Sequence, residues 1–125
     1  MTDKKAKYIT TTIPYVNADP HIGHALEFIQ ADFLARTWRL SGHPVFFSTG
    51  TDEHGQKIAA GAEKEGLTRE AYTDKYAAEF ARLQSALNLS NDVFIRTTSP
   101  HHKQAAAVMW QRCDAAGDIY KKLSG

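Results

Sequence analysis

The stretch Pro14-Tyr15-Val16-Asn17-Ala18-Asp19-Pro20-His21-Ile22-Gly23-His24 stands between a β-branched run and a long amphipathic pattern, so it reads as a strand-to-helix turn. Asp19 is the expected N-cap, with Pro20 in the first helical position, where its missing N–H costs nothing. His21 and His24, three apart, then leave one side of the first turn. Gly23 between them removes a side chain where a ligand could touch backbone. A helix start presents free N–H groups and the positive end of the dipole, so it favours an anion. Two imidazoles there add donors for phosphate oxygens. A nucleotide-phosphate site is the expectation. The competing reading is two partly exposed polar residues with no ligand. A metal pair is the weaker reading, because the chain has one cysteine and no further ligand pair at a suggestive spacing.

Upstream, Lys7 to Ile13 is rich in β-branched residues and reads as a strand that Pro14 ends. Downstream, His21 to Leu40 is helical. Ile22, Leu26, Ile29, Phe33 and Leu40 share one face, widened by Ala25, Phe28 and Trp38, and form the expected core stripe. Asp32 and Arg36 make an i,i+4 pair on the other side. Pro44 to Thr49 is a continuous apolar run, which suits a strand buried on both faces of a parallel sheet. Strand, helix and strand make a βαβ unit, and such sheets bind ligands outside the carboxyl ends of their strands. That edge holds both Pro14–His24 and Gly50–Gly55.

Further along, Gln56 to Glu65 reads as a helix stopped by Gly66. Thr68 N-caps another, whose stripe is Tyr72, Tyr76, Phe80, Leu83 and Leu87. Val93 to Thr97 is a third strand. Ser99-Pro100 opens a last helix with the stripe Ala105, Val108, Met109, Arg112/Cys113 and Ala116. Met1 to Ala6 should fray, and the chain should turn irregular after Asp118.

With 125 residues, the chain has the length of one domain with a single core. Its 42% hydrophobic and 23% charged content is that of an ordinary globular protein. A formal net charge of +1 gives no electrostatic argument for nucleic acid or a membrane surface. The lone Cys113 excludes an internal disulfide and fits a reducing compartment, with the thiol read as a small core residue. No apolar run has the length of a membrane span, and the opening residues form no signal-peptide core. A cytoplasmic protein with no membrane partner is expected.

The string closing in His21-Ile22-Gly23-His24 resembles the first signature of class I aminoacyl-tRNA synthetases, which hold ATP with it. Two flanking strings, Thr11-Thr12-Ile13-Pro14-Tyr15-Val16-Asn17 and Thr49-Gly50-Thr51-Asp52-Glu53-His54-Gly55, resemble the methionyl-tRNA synthetase family in particular. The resemblance implies the first half of a Rossmann-like fold of the α/β class, a parallel sheet flanked by helices. It assigns Asn17, His21, Gly23 and His24 to ATP, with the two histidines as catalytic electrostatic stabilisers and Mg²⁺ accompanying the ATP. Asp52 would pair with the α-ammonium of methionine, and Thr12, Ile13 and Tyr15 would line the amino-acid pocket. Thr12 departs from the small residue of some relatives. The implied reaction is activation of methionine to methionyl-adenylate, followed by transfer to tRNA(Met).

Chemistry alone leaves some roles open. Asp52 could instead N-cap the Gln56 helix. Glu53 could be a solvated helix-start carboxylate or a site residue, and Glu27 could face a ribose or solvent. The expectation for 1–125 is the N-terminal part of the catalytic nucleotide-binding domain. The insertion domain, where zinc would belong, the second half-fold with its Lys-Met-Ser-Lys-Ser loop and the anticodon-binding domain lie outside the chain. By itself it should then be weakly active, and its open sheet edge and uncovered helices should favour self-association. Two other functions fit the same turn: a small nucleotidyltransferase, or a non-catalytic ATP-binding half-domain.

Overall fold

A computed structural model describes residues 4–122. The expectations for the first three residues and for 123–125 lie outside these. The elements are β1 (Lys7–Thr10), α1 (Ile22–Leu40), β2 (Val45–Thr51), α2 (Gln56–Glu65), α3 (Arg69–Ala86), β3 (Val93–Arg96) and α4 (Pro100–Ala115). The three strands form one parallel sheet in the order β1-β2-β3. β2 is central and buries Phe47 to Thr51, but Val45 is only partly buried and Phe46 is exposed by 50%, so the apolar run is covered on both faces only in its later part. Gly50 is required there, since a Cβ would lie 2.0 Å from the Ile95 carbonyl oxygen of β3.

One core gathers Val16, Phe28, Ile58, Ala62, Tyr72, Ala77 and Phe80 between α1, α2 and α3. A second lies around Ile9, Ala35 and Phe47, between α1 and the sheet. The aromatic stripe of α3 is therefore core, as expected. Its N-cap is Thr68, whose hydroxyl accepts the Ala71 N–H at 3.1 Å. α2 stops at Gly66, which takes the left-handed conformation (φ 66°). Ser99 caps α4 with Pro100 in its first turn.

The inward face of α1 differs from the expectation. Phe28, Asp32 and Ala35 are its buried residues. Ile22, Leu26, Ile29, Phe33 and Leu40 are exposed, Ile22 by 88%. Periodicity identified the helix, but its inward line carries a hydrogen-bonded carboxylate between Phe28 and Ala35. Asp32 Oδ1 accepts the Ser90 main-chain N–H and the Ser90 hydroxyl, both at 2.6 Å, and Oδ2 accepts Arg36 Nε–H at 2.6 Å. The Asp32–Arg36 pair thus exists, but on the side facing the β3 entry loop. Burial works to raise the Asp32 pKa, and the bonds from Ser90 and Arg36 outweigh it, holding the carboxyl below its usual range. α4 also differs: none of its residues is buried, and Val108, Met109 and Trp110 are exposed. Cys113 is partly exposed and is not a core residue.

Candidate active site

The two motif loops meet at the carboxyl edge of the sheet. Asp52 N–H donates to the Pro14 carbonyl at 2.9 Å, and Val16 N–H donates to the Asp52 carbonyl at 3.3 Å. These bonds form an isolated parallel bridge, Tyr15 to Asp52. Val16 is fully buried and anchors the loop. The Tyr72 hydroxyl, from α3, donates to the Asn17 carbonyl at 3.2 Å. Ile13 and Tyr15 stay exposed beside this anchor, as do Ala18 and Asp19 in the turn that follows.

Helix α1 starts two residues later than expected. His21, not Asp19, is the N-cap, so Pro20 precedes the helix and Ile22 opens it. The His21 ring Nδ1 accepts the Gly23 N–H at 3.1 Å, and the His24 ring Nδ1 accepts the His21 N–H at 3.2 Å. This is a capping box built from two imidazoles. Their rings stack with centroids 3.8 Å apart. The absent Cβ of Gly23 makes room for this ring, since a Cβ would lie 2.9 Å from His21 Cε1.

The cap has two chemical consequences. A ring nitrogen that accepts an N–H carries no proton, so in this cap each ring bears its N–H at Nε2. Each then offers one donor away from the cap. Moreover, the Gly23 N–H is bound to the His21 ring and the His24 N–H to the His21 carbonyl, the latter at 3.0 Å. An anion would therefore be held chiefly by ring Nε2–H groups, not by the open backbone amides first expected. His24 packs edge-on against Phe80 with centroids 5.0 Å apart. Burial, then the nearby His21, lowers its pKa, against a weaker upward pull from Glu27. All of this favours the neutral ring.

Asp52 does not N-cap α2; Gly55 holds that position with no side-chain bond. Its Oδ1 accepts the His54 N–H at 3.3 Å and the Thr97 hydroxyl at 3.5 Å. Glu53 is no solvated carboxylate. Its side chain is fully buried and receives Arg96 in a two-pronged contact at 2.6 and 3.0 Å. The Thr51 hydroxyl donates to it at 2.9 Å, and the Thr98 hydroxyl donates as well. Arg96 also reaches Asp74 of α3 at 2.6 Å, and Glu53 raises its already high pKa further. This network moors the Asp52–Gly55 loop to β3 and α3. Glu27, partly exposed, is taken up by the strand exit: its carboxylate accepts the Thr12 N–H and hydroxyl, both at 2.7 Å. Sequence reasoning missed Tyr72, Arg96, Thr97 and Thr98. The one available signal was Arg96, a lone cation closing the apolar run Val93-Phe94-Ile95. A cavity of about 630 Å³ opens on the β3 side of the same loop, with Glu53, His54, Arg69, Asp74, Arg96 and Lys103 in its wall. Among the described residues, no three His, Cys, Asp or Glu side chains gather as a metal site. No described helix is long and apolar enough to cross a membrane.

A parallel sheet whose first two strands deliver a donor-bearing helix start and an aspartate loop to one carboxyl edge defines an α/β nucleotide-binding domain. A family model described as tRNA synthetases class I (M) matches residues 7–124. The chain belongs to that family. It is 50% identical over 121 residues to the methionine–tRNA ligase of Rhizobium meliloti, covering 97% of this chain and 23% of that protein. It is 53% identical over 113 residues to the Mycobacterium leprae enzyme of the same name, covering 90% and 21%. The crystal structure of Mycobacterium tuberculosis methionyl-tRNA synthetase bound by methionyl-adenylate superposes with a TM-score of 0.90 at 49% identity, over 93% of this chain and 23% of that one. The chain thus spans less than a quarter of the length of these relatives.

Proposed function

We propose that this chain forms the N-terminal part of the catalytic nucleotide-binding domain of a methionine–tRNA ligase. Its substrates are then methionine, ATP and tRNA(Met), and its setting the cytoplasm. The observation that carries the reading is the reciprocal imidazole cap: two rings with Nδ1 turned to the helix and Nε2–H away from it, on a turn hydrogen-bonded to the Asp52 loop. About 50% identity to named methionine–tRNA ligases supports it.

In this mechanism, a methionine carboxylate oxygen attacks the α-phosphorus of ATP, the bond to the bridging oxygen breaks, and pyrophosphate leaves. Asp52 holds the α-ammonium. Ile13 and Tyr15 wall the thioether, with Thr12 behind them. Asn17 and the Gly23 turn lie along the nucleotide. His21 and His24 donate from Nε2 to the phosphoryl oxygens as charge builds there, and neither needs to transfer a proton. Losing one such donor costs about 3 kcal/mol in the barrier. Mg²⁺ enters with ATP as part of the substrate, and no residue described here is assigned to it. Zinc, in this reading, belongs to an insertion domain outside the chain.

The test is methionine-dependent ATP–pyrophosphate exchange by the protein made from the complete reading frame. Exchange with methionine and not with other amino acids is expected, and its absence would overturn the reading. Preference for CTP would point instead to a nucleotidyltransferase. ATP binding without any methionine effect would point to a non-catalytic binder.

A further inference from the structure

The first strand does not run straight into the motif. β1 pairs with β2 in steady register from Lys7–Val45 to Thr10–Ser48. Contact resumes at Tyr15–Asp52. Between these bridges the first chain has four residues, Thr11 to Pro14, and β2 has three, Thr49 to Thr51. One residue is extra, so the strand exit carries a β-bulge. Burial changes phase with it: Ile9 and Thr11 are buried, and the next buried position is Val16. In unbroken register Ile13 and Tyr15 would follow Ile9 and Thr11 into the interior. With the extra residue they emerge exposed at the carboxyl edge.

Bulges beside ligand-bearing edges re-aim side chains, and they release main-chain groups from the ladder. Pro14 has no N–H to lose. Thr12 has one, and it donates to Glu27 Oε1 at 2.7 Å, while the Thr12 hydroxyl donates to Oε2 at 2.7 Å. The buried Thr11 and Thr49 hydroxyls hydrogen-bond at 2.8 Å across the same gap. The clamping carboxylate sits on α1, three residues after His24. One helix therefore carries the imidazole pair and fixes the strand exit.

We infer that Glu27 and Thr12 are positioning residues, holding the bulge that turns Ile13 and Tyr15 toward the amino-acid substrate. This rests on the methionine–tRNA ligase reading. The clamp acts through geometry rather than charge. Gln at position 27 would keep it, its carbonyl accepting the Thr12 N–H and its amide donating to the Thr12 hydroxyl. Ala would remove it. Thr12→Val removes one arm.

The experiment measures KM for methionine, KM for ATP and kcat in pyrophosphate exchange, using the protein from the complete reading frame. Glu27→Ala should raise KM for methionine about tenfold, the worth of a lost hydrogen-bonded clamp, and leave KM for ATP unmoved. Thr12→Val should shift it in the same direction by less, while Glu27→Gln stays near wild type. If Glu27→Gln is as damaging as Glu27→Ala, the role is one of charge and the inference is wrong. A loss confined to ATP, or one seen only in kcat and active fraction, overturns it equally. Should Glu27→Ala fold poorly, the contrast of Thr12→Val with Glu27→Gln decides the matter. A wild type without methionine-dependent exchange sinks the ligase reading, and the inference with it. An active wild type whose methionine KM is unmoved in these variants sinks the inference alone.

Discussion

Arg96→Met should be the most damaging single change at the edge of the sheet. Its guanidinium meets a Glu53 carboxylate that has no exposure to solvent, through contacts of 2.6 and 3.0 Å. Removing one partner of a buried ion pair strands the other, at a cost of roughly 3–5 kcal/mol. Glu53 keeps the Thr51 and Thr98 hydroxyls, and Arg96 is itself 35% exposed. Both facts place the loss at the lower end, about 3 kcal/mol. The other arm of Arg96 goes to Asp74, which is 57% exposed, so Asp74→Asn should cost no more than about 1 kcal/mol. Glu53→Gln combined with Arg96→Met leaves no stranded charge and should be more stable than Arg96→Met alone. Urea unfolding followed by far-ultraviolet circular dichroism measures all four proteins. Equal losses for Arg96→Met and Asp74→Asn would refute the reasoning, as would a double variant no better than the single one.

Three other outcomes follow from the same geometry. Gly23→Ala forces the His21 ring off its cap; it should lose about 1 kcal/mol of stability and reduce pyrophosphate exchange by more than that loss of fold explains. Stability should fall in two steps as pH drops, because His24 and Asp32 both have lowered pKa values in the fold and so bind protons more readily when unfolded. The His24 contribution is complete above its ordinary value of 6.5 and is lost below it, while that of Asp32 is complete above 3.8 and disappears as pH falls through the folded value. Urea midpoints measured across pH should show both limbs, and His24→Gln should flatten only the upper one. Finally, the 125-residue chain by itself should self-associate through the exposed Leu26, Ile29 and Phe33 face of α1; light scattering should show the unmodified chain larger than Leu26→Glu/Phe33→Glu, and a monomer in both cases would contradict this.

Local chemistry fixed the order and type of every element. Thr68, Ser99-Pro100 and Gly66 act within a turn of their own positions, and the run Val45-Phe46-Phe47 reads as a strand from its own residue types. The meeting of Pro14–His24 with Gly50–Gly55 was also legible, because parallel strands bring their carboxyl ends to one edge. Tertiary structure alone decided the rest, since each remaining feature depends on a partner distant in sequence. Asp32 can face inward because Ser90, 58 residues away, supplies two donors, whereas Ile22, Leu26, Ile29, Phe33 and Leu40 stay exposed. Glu53 became a buried hub because Arg96 arrived from another strand. The bulge that exposes Ile13 and Tyr15 appears only when two strands are counted against each other. The first turn of α1 shows the division most sharply: its residue types announced a polar cap, but which nitrogen faces the helix and which faces outward follows from how two rings pack.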